Sequence, residues 1–261
     1  MAMPGRAAQP IVHVLDDYDL SQFTDVANHY GMERFGFVVT PNVDHMIRYH
    51  DDAVFRGYYS AADYILLDSR LIARIVLTTQ KMSLKVCTGS DLTATLFAQI
   101  IKPDDRIVII GGTDEQVQLL TTRYHLANVR HHNPPMGFIK DPVATSKCLE
   151  FVEGGGPFRF CFLAVGSPQQ EAIAQALKVR GRARGLALCI GASLNFLTGV
   201  EKRAPVWMQQ LALEWLYRLT QEPGRMASRY LIRGPRIFNC LRHDRIQVRQ
   251  RATPDASRFA H

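Results

Sequence analysis

A short apolar run, stopped by glycine and followed by a helix-like stretch, occurs three times in this chain. Arg106–Ile110 ends at Gly111-Gly112, and Phe160–Val165 ends at Gly166-Ser167-Pro168. Leu186–Ile190 ends at Gly191. Runs this short and continuously apolar fit strands buried on both faces, and intervening helices supply the crossovers of a parallel sheet. Ile11–Leu15, Phe35–Thr40, Tyr64–Leu67 and Leu84–Cys87 also read as strands. Helices are expected at Ser21–Tyr30 with Ser21 as cap, Val43–Tyr59, Leu71–Thr79, Leu92–Ile101, Asp114–Tyr124 and Gln169–Arg180. The fold class is α/β: a Rossmann-like, mostly parallel sheet with helices on both faces, over residues 1–199.

The character changes after Gly199. From Val200 onward there are 12 Lys and Arg against 5 Asp and Glu, whereas residues 1–199 hold 19 of each. The whole excess of +7 lies in the last quarter. Met208, Leu211, Trp215 and Leu219 are spaced as one helical stripe, and beyond Pro223 arginines alternate with Tyr, Leu, Ile and Phe. Residues 200–248 are therefore expected to form a basic amphipathic helical appendage, followed by a disordered tail over 249–261. Such a surface seeks phosphate, whether on lipid, nucleic acid or pyrophosphate. No run reaches the roughly 18 apolar residues of a spanning helix, and Met1–Pro10 lacks a signal-peptide core. A cytoplasmic protein is expected. The five cysteines show no CxxC spacing, which predicts buried free thiols.

Chemistry-bearing residues gather at expected strand ends, where α/β sheets bind ligands. They are Thr40 and Asn42, Asp68, Gly89-Ser90-Asp91, Gly111-Gly112, and Gly166 with Gln170 and Glu171. Glycine lets backbone N–H groups approach phosphate oxygens closely. Neither GxGxxG nor GxxxxGK[ST] is present, which disfavours NAD and ATP chemistry. Asp68 reads either as a general base or as the cap of the following helix. Asp17-Tyr18-Asp19 has DxD form but reads as a solvated turn, and His131-His132 as a solvated loop. No metal and no cofactor are expected.

The strings GSPQQE, IGASLNFLTGVEKRAP and WMQQLALEWLYRLTQEPGRMASRY, with TPNVDH, TGSDL, IIGG and PPMGF, resemble the WecG/TagA/CpsF family of bacterial glycosyltransferases. The resemblance implies inverting transfer from a UDP-sugar donor to a sugar on polyprenyl pyrophosphate, at the inner face of the cell membrane. Asp68 then matches the family's catalytic base, Thr40 and Asn42 its TxN pair, and Gln170 the glutamine of its GxPxQE motif. Arg218, Arg225 and Arg229 match appendage arginines that contact acceptor pyrophosphate, and Arg203 joins them. Three departures stand out: Ser69 follows Asp68 in place of glycine, Val86 beside Lys85 replaces an arginine, and Asn195 replaces an aspartate. They suggest an uncharged hexose donor, as in the xanthan-pathway β-1,4-glucosyltransferase branch of exopolysaccharide synthesis. An anionic membrane surface is the implied partner, with self-association through Trp207 and Trp215 as a further option, and no nucleic acid. Three readings compete with this one: N-acetylmannosamine-type transfer in wall or surface polymer synthesis, an RNA-binding protein, and a non-catalytic subunit that docks a membrane partner.

Overall fold

The computed structural model describes residues 10–251. Eight strands are present among them: β1 (Val12–Asp16), β2 (Phe35–Val39), β3 (Tyr64–Ile65), β4 (Arg106–Ile110), β5 (Asn128–His132), β6 (Phe160–Leu163), β7 (Gly185–Cys189) and β8 (Arg245–Arg249). Six form one sheet in the order β3-β2-β7-β6-β4-β5, with every pairing parallel. All its carboxyl ends therefore lie on one edge. Along each central strand the side chains alternate between two cores. Phe37, Val39, Val108, Ile110, Cys161 and Leu163 enter one. Val38, Ile107, Ile109, Phe160 and Phe162 enter the other. Period-2 alternation with both sets apolar is what helices on both faces demand. All five cysteines are buried and free.

Several expected elements differ. The helix at Leu20–Asn28 is capped by Asp19, not Ser21, in a capping box with Gln22. Val43–Tyr59 is two helices, Val43–Asp51 and Ala53–Ala61, because the Asp52 carboxylate turns back to accept from Val54 and Phe55 N–H. Leu84–Cys87 is not a strand; the Cys87 amide alone bonds to the Leu67 carbonyl. His131-His132 lies in β5 rather than in a loop. The helix Pro142–Glu153, capped by Asp141 with proline in its first turn, lies outside the strand–glycine pattern. The stripe from Met208 to Leu219 is broken into Val206–Gln210 and Glu214–Gln221, with Ala212 between them at φ +58°. A side chain in the left-handed region ends a helix as surely as proline does.

The chain's far end returns to its start. β8 pairs in parallel with β1, Val12 opposite Arg245 and Asp16 opposite Arg249. Asp16, whose side chain is wholly buried, receives Arg249 at 2.6 Å and Arg251 at 2.8 Å. Its second oxygen accepts the Ile65 amide of edge strand β3. Asp244 is likewise buried and accepts from His13 at 2.7 Å and His50 at 2.9 Å. Residues 249–251 are thus held on the core; the expected disorder beyond them falls outside the described residues.

Removing Asp16 would leave two guanidiniums with only the Asp63 carbonyl, and an edge amide without its acceptor. Each arginine keeps about a third of its exposure (38% and 31%), so water softens the loss. Asp16→Ala should cost about 2–3 kcal/mol in denaturant unfolding. An unmoved midpoint would mean that the β1–β8 ribbon is not held by this carboxylate.

Candidate functional site

Backbone pairing runs past the formal ends of β2 and β3. The Leu66 amide bonds to Val39 O at 3.0 Å, and the Asp68 amide to Pro41 O at 2.8 Å. This carries Asp68 to the carboxyl edge of the sheet. The helix Arg70–Gln80 that follows is capped by Ser69, whose Oγ accepts from the Ile72 amide. The capping role considered for Asp68 is therefore filled by its neighbour, and the Asp-Ser departure acquires a reason. The Asp68 carboxylate makes no hydrogen bond or ion pair among the described residues. Desolvation pushes its pKa up to about 7, against the opposing pull of Arg218; Glu214 and Asp91 add to the rise.

Two cavities meet at this residue. The larger, about 1000 Å³ counting space open to solvent, runs along the ends of β2, β7 and β6 and is lined by Thr40, Asn42, Ser90, Gly166, Ser167, Gln170 and Gly191. The second, about 720 Å³ on the same count, lies between residues 42–47 and 68–71 and the appendage. Asn42, Asp44, Asp68, Glu214 and Arg218 line both. Asn42 caps its helix through Oδ1, leaving its N–H groups for the cavity. Thr40 Oγ1 donates to the Cys189 carbonyl at 3.4 Å. Buried Gln170 accepts the Gly191 amide at 2.8 Å and donates to Glu171 at 2.9 Å, clamping two strand ends together.

Other expected site residues serve the frame. Glu171 is fully buried beneath the cleft. A Cβ at Gly89 would come within 3.0 Å of Thr40 Oγ1, and one at Gly111 within 2.9 Å of the Ala164 backbone. Gly111 and Gly112 turn the chain at φ +90° and +77° but do not line the cleft. Asp91 is also outside it: burial raises its carboxyl, but hydrogen bonds from Arg203 (2.6 Å) and Thr88 (2.7 Å) prevail and hold it below the usual range. Arg203 is thereby committed to Asp91.

The appendage closes the site from above. Arg70 bonds to Glu214 at 2.7 Å and lies 3.6 Å from Asp91. Arg74 grips the Leu211 and Gln210 carbonyls. These contacts bring Arg218 over the junction of the cavities. Its guanidinium lies 4.9 Å from the Phe196 ring centroid and has no anionic partner among the described residues. The side chains of Arg225 and Arg229 lie outside the described residues. The convergence of Asp44, Ser167, Glu214, Trp215 and Tyr230 on the two cavities was not legible one residue at a time. The i,i+4 pair Glu214/Arg218 was the available signal.

The remaining departures do not touch the cleft. Asn195 donates to Glu201 at 2.8 Å and accepts from Gln116 at 2.9 Å, so its neutrality serves a turn and says nothing of the donor. Lys85 pairs with Asp17 at 3.1 Å, while Asp19 caps a helix, so both carboxylates of the DxD string are engaged. His131 bonds to Asp114 and the Gly111 carbonyl.

Fold and site together describe an α/β enzyme with its candidate reaction centre at the carboxyl edge of a parallel sheet. The profile of the Glycosyl transferase WecG/TagA/CpsF family matches residues 12–251, and the chain belongs to that family of glycosyltransferases.

A carboxyl raised to about 7 is protonated below that pH and ionised above it. If Asp68 is the base, kcat/KM should fall about tenfold per unit below pH 7 and level off above it. Asp68→Asn should remove the inflexion along with the rate. A flat profile from pH 5.5 to 8 would dismiss Asp68 from proton transfer.

Proposed function

We propose that this protein transfers a hexosyl group, with glucose the leading candidate, from a UDP-sugar to a sugar carried on polyprenyl pyrophosphate, with inversion and without a metal. The observation that carries this reading is the Asp68 carboxylate at the meeting of two cavities with Arg218 beside it, neither in an ion pair among the described residues. An inverting displacement needs one base and no protein nucleophile. Asp68 takes the proton of the acceptor hydroxyl as its oxygen bonds to the anomeric carbon. The bond to the diphosphate breaks on the opposite side, and its electron pair leaves with UDP. Arg218 offsets charge growing on the phosphate oxygens. UDP as the carrier follows from the family resemblance.

An uncharged donor sugar is supported by the lining of the larger cleft. Among its described residues Arg218 is the one Lys or Arg, so with the diphosphate bound to it no second cation remains to pair with a uronate. Exopolysaccharide synthesis is the setting this suggests.

A peripheral position on the inner membrane face is supported by the appendage surface. Leu231, Ile232 and Phe238 are 58–72% exposed beside exposed Arg233 and Arg242. No helix among the described residues is long and apolar enough to cross a membrane. Attraction to anionic lipid is worth about 1 kcal/mol per basic residue near the surface. We assign residues 200–248 this role and that of covering the acceptor.

The transfer is tested with radiolabelled UDP-glucose and glucosyl-pyrophosphoryl-farnesol in EDTA. A lipid-soluble disaccharide is expected, and Asp68→Ala should lose at least about a thousandfold in kcat while keeping its affinity for UDP. Transfer only from UDP-N-acetylmannosamine to an N-acetylglucosaminyl lipid would overturn the sugar assignment, and rescue by Mg²⁺ or Mn²⁺ the metal independence. For the membrane, Arg233→Glu with Arg242→Glu should weaken co-sedimentation with phosphatidylglycerol vesicles about tenfold or more. Unchanged pelleting would dismiss this face. Truncation is a poor substitute, since it removes β8 from β1.

A further inference from the structure

The second cavity differs from the cleft beside it. The larger cleft is walled mainly by polar side chains and strand-end backbone. The second has an apolar floor, from Ile47 and Leu71, and an aromatic corner on the appendage. There the rings of Trp215 and Tyr230 stand 6.1 Å apart and tilted by 59°. Trp215 is half-buried and lines the cavity, whereas Trp207 is 58% exposed and does not.

We infer that this cavity is the subsite for the acceptor sugar, with Trp215 as the platform on which the sugar ring stacks and Asp44 and Glu214 facing its hydroxyls. The inference rests on the transferase reading above and names the side from which the acceptor enters. In-line displacement puts the attacking hydroxyl and the departing diphosphate on opposite sides of the anomeric carbon. Asp68 lines both cavities, so a base there reaches a hydroxyl in one and a donor sugar in the other. The larger cleft, along the glycine-bearing strand ends, suits the nucleotide. The smaller one is left for the acceptor. Its lining has the two elements that recognise a carbohydrate: an aromatic face for the C–H side of the ring and carboxylates for hydroxyl groups. Backbone holds the platform in place. Ala212, at φ +58°, ends the preceding helix, and the Leu213 amide bonds back to Met208 O at 2.8 Å, so Glu214-Trp215 opens the next helix at the cavity wall.

The test has two parts. In transfer assays Trp215→Leu should raise the acceptor KM about tenfold or more with the donor KM unchanged, and Trp215→Phe should recover most of the loss. An unchanged acceptor KM, or an equal loss for donor and acceptor, would overturn the subsite. The second part does not require turnover. The chain has two tryptophans, so in Trp207→Phe the remaining indole is Trp215. Titration with glucosyl-pyrophosphoryl-farnesol should shift its emission saturably, whereas farnesyl pyrophosphate lacking the sugar should not. Equal shifts from both lipids would assign Trp215 to the lipid and overturn the sugar subsite. If wild type transfers from no UDP-sugar, the parent reading fails, while the titration still decides whether this cavity holds a sugar.

Discussion

Everything at the candidate site depends on one bridge between the core and the segment that covers it. Arg70 stands one residue past the Asp68-Ser69 pair and reaches Glu214 on one side and Asp91 on the other. Arg203 comes to the same Asp91 from the appendage. Each of these side chains keeps between a quarter and about a third of its exposure, so the pairs are individually modest. Their worth is geometric. They hold the segment that carries Arg218 and Trp215 against the strand end that bears Asp68, so that all three line one cavity.

This division explains which parts were legible in the sequence. The central strands β4, β6 and β7 are continuous apolar runs ended by glycine, and a buried parallel sheet leaves few other readings for such runs. Strand β5, NVRHH, lies at the sheet edge with only part of each side chain covered, so polar residues suffice there and periodicity is lost. Strand β8, RIQVR, does alternate, but its arginines belong to the buried Asp16 and not to water, which no local pattern reveals. The helix break at Ala212 was hidden because alanine is the best of helix formers; tertiary contacts from Arg74 override its propensity.

The site was legible to a similar depth. Asp68, Asn42, Thr40 and Gln170 sit at strand ends and could be placed from position and resemblance. Gly111 and Gly112 share that position in the chain, yet neither lines the larger cleft; Gly111 packs on the Ala164 backbone and Gly112 faces Gln116 and Leu194. A glycine after a strand signals close approach of backbone, and whether to protein or to ligand is decided by the fold. Asn195 teaches the converse. A change of charge in a motif acquires meaning only once its partners, Gln116 and Glu201, are known.

The pairing of β1 with β8 has a consequence for how the chain is made. β1 leaves the ribosome well before its partner β8. At synthesis rates of about 5–20 residues per second, β1 waits roughly 10–50 s for its neighbour. Over that time β1 lacks the cover of β8, and Asp16 lacks Arg249 and Arg251. The six-stranded sheet has all its strands from Cys189 onward, so it can assemble first. The appendage and β1 would then dock after the sheet has formed, which ties closure of the candidate site to the synthesis of β8.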